Sequence, residues 1–212
     1  MSGYRTVVAD PPWSPSLGST WATATTDKAR PQKHYGTLTL DEIKAAEPPA
    51  AKQAHLYLWV LNQHVDWGYE VARSWGFEPV QLITWAKPGL GVGRFQCNTE
   101  QVLVARRGSR HGNPFGATGG TWFNWPRGRH SEKPQDFYDL VERVSPGPYF
   151  EMYARSWREG WDAMGNELPE RWFGACGVQF CEDCLPIYDN ANKAIGDEPP
   201  TRIDRDIFGG VA

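Results

Sequence analysis

The chain has 212 residues, 40% hydrophobic and 22% charged, which fits one globular domain with an ordinary core. No apolar run reaches 18 residues, and the opening "MSGYRTVVAD" lacks the zones of a signal peptide, so neither a membrane span nor export is expected. A net charge of -3 argues against a uniformly basic nucleic-acid binder, and four cysteines, with Cys97 far from Cys176, Cys181 and Cys184, are too few for a disulfide framework. The expectation is a cytoplasmic protein with reduced thiols. The average charge hides a division, however. Between Trp85 and Lys133 stand eight basic residues (Lys87, Arg94, Arg106, Arg107, Arg110, Arg127, Arg129, Lys133) against two acids, Glu100 and Glu132. Such a stretch suits a phosphate-binding face, with a solvated loop as the alternative.

In chain order, "RTVVA" (5 to 9) reads as the first strand. Thr39 and Glu42 have capping-box spacing, which starts a short helix near Leu40. "AHLYLWV" (54 to 60) is the second strand, and Val65, Tyr69, Ala72 and Trp75 stripe a helix from about 64 to 75. "VQLITWA" (80 to 86) and "QVLVA" (101 to 105) are further strands. After Pro134, Phe137, Leu140, Val141 and Val144 stripe another helix, followed by "YFEMYA" (149 to 154) as a strand. The apolar runs are nearly continuous rather than alternating, which suits a sheet buried on both faces. The pattern predicts an α/β fold, a mostly parallel sheet sandwiched by helices, with ligands at the carboxyl ends of its strands. Residues 14 to 37 and 87 to 99, rich in Gly, Pro, Ser and Thr, read as functional loops. Residues 1 to 168 form the expected domain. Residues 169 to 212 read as a partly disordered extension, whose Cys176, Cys181 and Cys184 read as reduced thiols, with a structural zinc completed by a distant residue or another subunit as the alternative.

"VVADPPWSP" (7 to 15) delivers a carboxylate at the end of the first strand and follows it with two prolines and a tryptophan. Asp10 precedes a proline, which keeps its backbone extended. Pro11 and Pro12 have fixed φ and no N–H, so their carbonyls stand without adjacent donors. The result is a rigid set of acceptors suited to a planar amine, such as a nucleobase NH2 that donates two hydrogens in the ring plane. Trp13, or an aromatic near it, is the candidate stacking surface for the base. An aromatic amine is a poor nucleophile because its lone pair is delocalised. Off-plane acceptors favour the pyramidal form in which that pair attacks, a stabilisation aimed at the transition state. Asp10 would hold one N–H and take the proton, and the Pro11 carbonyl would hold the other. A turn that merely buries a tryptophan is the competing use of these four residues.

The rest of the chain carries further motifs: "HYGTLTLDEI" (34 to 43), "LYLWV" (56 to 60), "GFEPVQLITWAK" (76 to 87), "NTEQVLVARRG" (98 to 108), "HSEKPQDFYDLVERVSPG" (130 to 147), "YFEMYAR" (149 to 155) and "GWDAMGNEL" (160 to 168). In this order and spacing, from Tyr4 to Leu168, the chain resembles the MT-A family of N(6)-adenine methyltransferases, in its small phage or bacterial form. The resemblance implies a Rossmann-like class I methyltransferase fold that uses S-adenosylmethionine, with the catalytic motif preceding the cofactor half. It implies a catalytic role for Asp10, Pro11, Pro12 and Trp13, and cofactor contacts from Asp10, Lys133, Arg155, Trp157, Asn166 and Glu167. Lys133 precedes a helix start, where a cofactor carboxylate is welcome to the charge and to the helix dipole. Asn166 and Glu167 offer the mixed donors and acceptors that ribose hydroxyls require. Glu167 stands where eukaryotic members have Gln, and Trp157 where they have His. The absence of G-x-G-x-x-G argues against NAD.

The implied activity is methylation of the exocyclic N(6) amine of adenine in nucleic acid, with DNA placed ahead of RNA and S-adenosylhomocysteine as product. His34 and Tyr35 are candidates to cover the base, and Lys87 and Arg94 to meet phosphates. Trp122, Phe123 and Trp125 are candidates for stacking on single-stranded nucleotides, or equally a core edge. No separate target-recognition domain fits in the chain, so specificity is short or comes from a homodimer or partner subunit. The alternatives are a non-catalytic nucleic-acid-binding partner subunit and an N(4)-cytosine methyltransferase, since that amine meets the same acceptors.

Overall fold

The computed structural model describes residues 3 to 14, 36 to 89, 96 to 110, 114 to 117, 119 to 128, 132 to 166 and 168. Strands and helices alternate along them: β1 (Tyr4–Ala9), α1 (Leu40–Ala45), β2 (Ala50–Val60), α2 (Val65–Ser74), β3 (Glu78–Ala86), β4 (Thr99–Arg107), β5 (Trp122–Phe123), α3 (Gln135–Val144), β6 (Tyr149–Met152) and β7 (Trp161–Met164), with a 3-10 turn at Asn62–His64. The strands form one sheet in the order β5-β3-β4-β2-β1-β6-β7. All run in one direction except β4, which pairs antiparallel with both β2 and β3. This is the α/β sandwich expected from the alternating pattern, in the Rossmann-like arrangement that the resemblance implies. From β1 the chain moves to β2 on one side and later returns to β6 on the other. The carboxyl end of β1 is therefore the switch point at which such sheets bind ligands.

The sheet is covered on both faces, and side-chain alternation divides the core. Val7, Ala9, Leu56, Leu58, Val60 and Leu103 pack on the α1/α2 side with Ile43, Ala72 and Trp75. Val8, Tyr57, Trp59, Ile83, Trp85, Val102 and Val104 pack on the other side under Phe137, Leu140, Val141 and Val144 of α3. Double coverage explains the unbroken apolar runs, with seven consecutive buried residues closing β2. The capping box of α1 forms as spaced: the Thr39 hydroxyl accepts from the Glu42 N–H, and Glu42 Oε2 accepts from the Thr39 N–H at 2.7 Å. On α2 the buried face is Gly68, Val71, Ala72 and Trp75, while Val65 and Tyr69 are only half-buried. Gly68 stands there because a Cβ would come within 2.5 Å of Val60 Cγ1.

The basic stretch does not form one face. β4 runs against its neighbours and carries Arg106 and Arg107 about 20 Å along the sheet from Glu100, to the end opposite the switch point. Arg107 is moreover an anchor within the fold, donating to Glu47 Oε1 at 2.7 Å, Ala50 O at 3.3 Å and Trp75 O.

β7 leaves the sheet through Gly165, where a Cβ would collide with the carbonyl and nitrogen of Ala154. Ala154 N–H bonds Met164 O at 2.9 Å, so the two backbones are locked together just before Asn166. Gly165→Ala is expected to lower stability by about 2 kcal/mol, because packed backbone cannot yield as a side chain does. A urea midpoint with unchanged slope relative to the native chain would measure it.

Candidate active site

The side chains on the α3 face of the sheet follow from alternation. Asp10 lies two residues after Val8, Lys87 two after Trp85, and Glu100 two before Val102 in the reversed strand. Each keeps the parity of a residue in the α3-side core. Glu151 on β6, paired with Val8, takes the face opposite to that of Phe150 and Met152. Lys133 precedes Pro134, the N-cap of α3, and descends from the helix onto this row.

Charge organises what alternation has collected. Lys133 Nζ lies 3.1 Å from Asp10 Oδ2 and 3.0 Å from Glu100 Oε2, and its ammonium sits 4.5 Å from the centre of the Trp59 ring. Glu100 Oε1 in turn pairs with Lys87, whose ammonium lies 4.9 Å from the Trp85 ring. The side chains of Lys133, Glu100, Asp10 and Lys87 are 11, 16, 19 and 21% exposed. Burial pulls the Lys133 ammonium down, but Asp10 and Glu100 outweigh it and hold the group above the ordinary lysine range. Burial likewise pushes Glu100 up, and Lys133 and Lys87 together bring it below the ordinary carboxylate value. Glu151 has no such cation against it. Burial raises it to about 7, although the Tyr138 hydroxyl donates to its Oε1 at 2.6 Å. Arg158 lies 3.6 Å over the Tyr138 ring and donates to Gln135 Oε1 at 2.5 Å.

The Asp10–Trp13 turn is rigid, but its acceptors are less vacant than the prolines alone imply. Asp10 N–H donates to Met152 O at 3.4 Å, which ties the turn to β6. Pro11 O accepts from Trp13 N–H and Pro12 O from Leu38 N–H, both at 2.9 Å. Each carbonyl keeps one lone pair. Trp13 differs from the expected stacking surface. Its ring is 7% exposed and belongs to the α1/α2-side core, and its Nε1 donates to Trp59 O at 3.0 Å. It anchors the turn and leaves a base little face to stack upon.

Of the other expected residues, Arg155 and Asn166 are exposed and Trp157 half-buried, following β6 and β7 at the carboxyl edge of the sheet. Tyr153 opens this stretch with φ of +62°, a conformation that a non-glycine residue adopts only where its surroundings impose it. Lys87 is occupied by Glu100 rather than free for a phosphate. Phe123 and Trp125 stack on each other at 4.4 Å and pack against the α3-side core, leaving Trp122, 63% exposed, as the open aromatic of that group. His34, Tyr35, Arg94, Glu167, Arg129 and the cysteines 176, 181 and 184 lie outside the described residues. Glu100, Glu151, Tyr138, Arg158 and Trp59 were not singled out from the sequence. The available signal was a charge inside an apolar strand, at "TEQVLVA" and "YFEM". Among the described residues no group of three or more His, Cys, Asp or Glu could hold a metal ion, and no helix is long and apolar enough to cross a membrane.

A Rossmann-like sheet with an Asp-Pro-Pro-Trp turn at its switch point and a buried lysine against that aspartate places the chain in the methyltransferase class of α/β folds. The chain belongs to the MT-A70 family, whose model matches residues 4 to 167. It is similar to the human N(6)-adenosine-methyltransferase catalytic subunit METTL3, 29% identical over 178 residues, which cover 78% of this chain and 28% of that protein. It is also similar to the type II methyltransferase M.MunI of a Mycoplasma species, 29% identical over 185 residues, which cover 79% of this chain and 78% of the relative. A fruit-fly MT-A70-like protein, named as an N(6)-adenosine-methyltransferase, is 27% identical over 178 residues, 78% of this chain and 27% of that protein. The chain thus spans little more than a quarter of the METTL3-type proteins and most of M.MunI.

Two outcomes test the site's electrostatics. Lys133→Ala leaves two buried carboxylates without their common cation and is expected to cost roughly 3 kcal/mol, measured by urea unfolding. Glu151 is protonated more readily in the folded than in the unfolded chain, so its contribution falls as pH rises from about 4.5 through 7. Glu151→Gln should then match the native chain at pH 4 and exceed its stability at pH 8 by on the order of 2 kcal/mol. Equal differences at both pH values would sink this assignment.

Proposed function

We propose that the chain is an S-adenosylmethionine-dependent methyltransferase acting on the exocyclic N(6) amine of adenine in nucleic acid, DNA ahead of RNA. The observation that carries this reading is the state of Asp10 at the switch point. Lys133 occupies Oδ2, and among the described residues no donor is bonded to Oδ1. Oδ1 is therefore the oxygen offered to an incoming donor, and the remaining lone pair on Pro11 O is a second acceptor held by the same turn. Two acceptors fixed by one turn meet the two N–H groups of an aromatic amine. Drawn out of the ring plane, the amine regains the lone pair with which it attacks. The proton that it must lose is held at Asp10 Oδ1.

The cofactor's fit rests on the donor set at the carboxyl edge. α3 begins without a side-chain cap, so its first N–H groups favour a carboxylate, while the Lys133 ammonium beside them is taken by Asp10 and Glu100 rather than free for it. Asn166 and Arg155, exposed at the same edge, would serve the ribose and adenine. When bound, S-adenosylmethionine supplies an electrophilic methyl group on a sulfonium sulfur. The names of the relatives support adenine as the base, since METTL3 is named an N(6)-adenosine-methyltransferase. DNA is placed first because the match runs through 78% of M.MunI against 28% of METTL3, favouring the small type of enzyme. The compartment that goes with this reading is the cytoplasm, where cofactor and nucleic acid meet.

Labelled S-adenosylmethionine, incubated with single-stranded and duplex DNA and RNA, tests the proposal. Label is expected on adenine N(6), with a greater rate on DNA, and Asp10→Ala should reduce it at least about 100-fold. Cofactor binding without label on any polymer would leave a binding subunit instead, and label on cytosine N(4) would reassign the base.

A further inference from the structure

The Asp10–Trp13 turn is held at its near end by β1 and β6. Its far end rests on a residue that neither the motif nor the ion pairs include. His64 closes the 3-10 turn between β2 and α2, and its side chain is fully buried at 0% exposure. Its Nε2 lies 2.8 Å from the carbonyl oxygen of Ser14, the residue that follows Trp13. A carbonyl only accepts, so Nε2 carries the proton and donates. The same ring stacks against Trp13 with centroids 5.9 Å apart and planes 25° apart, and meets Trp67 edge-on at 4.5 Å.

The other ring nitrogen makes this informative. Nδ1 is buried and has no hydrogen-bond partner among the described residues. Leaving a buried polar atom unpaired costs stability, so a histidine is a poor way merely to fill this space. An aliphatic or aromatic side chain would fill it without that loss. What the imidazole alone adds is a donor at Nε2 joined to a flat ring against Trp13.

We infer that His64 is a positioning residue for methyl transfer: its Nε2–H bond to Ser14 and its contact with Trp13 fix the exit of the Asp10–Trp13 turn, and with it the spacing of the Asp10 carboxylate and the Pro11 carbonyl. The inference rests on the proposed activity, and deepens it by assigning the geometry of that site to a side chain that touches neither substrate nor cofactor. Trp13 transmits the constraint, since its N–H binds Pro11 O and its indole binds Trp59 O. A displacement of about 1 Å at a reacting group costs on the order of 100-fold in rate.

Glutamine and asparagine separate the two ring nitrogens, because the Gln amide nitrogen reaches the place of Nε2 and the Asn amide only that of Nδ1. His64→Gln should keep most of the native kcat. His64→Asn should lose about 10- to 100-fold in kcat with little change in KM for S-adenosylmethionine. Hydrogen exchange gives a readout independent of activity. In His64→Asn the amides of Trp13, Ser14 and Leu38 should exchange faster while that of Leu103 in β4 keeps its rate, and His64→Gln should restore the native pattern. Native kcat and native exchange in His64→Asn would overturn the inference, as would equal losses in both variants. If the native chain methylates no polymer, the proposed function fails, and the exchange contrast between Gln and Asn still decides whether His64 holds the turn.

Discussion

A single buried ammonium decides how the carboxyl edge of this sheet is built. Lys133 takes Asp10 from β1 and Glu100 from β4, at 3.1 and 3.0 Å, while the Trp59 ring closes it off on another side. Two carboxylates at this depth repel each other and lose water, and the cation between them offsets both costs. Lys87 completes the neutralisation on the far oxygen of Glu100. The four formal charges then cancel. Asp10 is fixed through Oδ2, which leaves Oδ1 to accept a hydrogen bond from a neutral amine.

The residues meet there because of strand direction as much as motif. β4 alone runs against the sheet, so its first residues, not its last, lie at the carboxyl edge. A parallel strand in that place would have delivered Arg107 and put Glu100 at the opposite end. Alternation then aims Asp10, Lys87, Glu100 and Glu151 at α3, and the apolar stripe of that helix seats its start, with Lys133, above them. The charges cluster through backbone geometry that the hydrophobic core has already fixed.

This explains what the sequence made legible. Strands buried on both faces announce themselves as continuous apolar runs, and the α1 cap and the α3 stripe are local patterns that tertiary contacts did not override. The direction of β4 is not local. A doubly buried strand reads alike in either sense, so the basic stretch could be counted but its division between the two ends of the sheet could not be foreseen. Glu100 and Glu151 were hidden for a related reason, because a lone acid in an apolar run does not name the partner waiting on its face. β5 and β7, of two and four residues, are too short to carry a period. Trp13 follows the other use that the motif allowed: the chain turns the ring into the core, where it anchors the turn.

Environment, rather than residue type, gives the two new acids their characters. Glu100 and Glu151 face the same helix from strands of one sheet, and burial raises both. Glu100 has two ammonium groups at hydrogen-bonding range, which reverse the effect of burial. Glu151 has a phenol hydroxyl and the more distant charges of Arg158 and Lys133, too little to offset the loss of water, and it rises to about 7. Carboxyl groups of one fold are thus pushed apart in acidity, the usual way in which a protein separates an acceptor that must stay charged from a group that can hold a proton. Asp10 stands against the same ammonium as Glu100. The pairing therefore holds Asp10 in place, while the Asp10 carboxylate is itself one of the influences that raise Glu151 on β6.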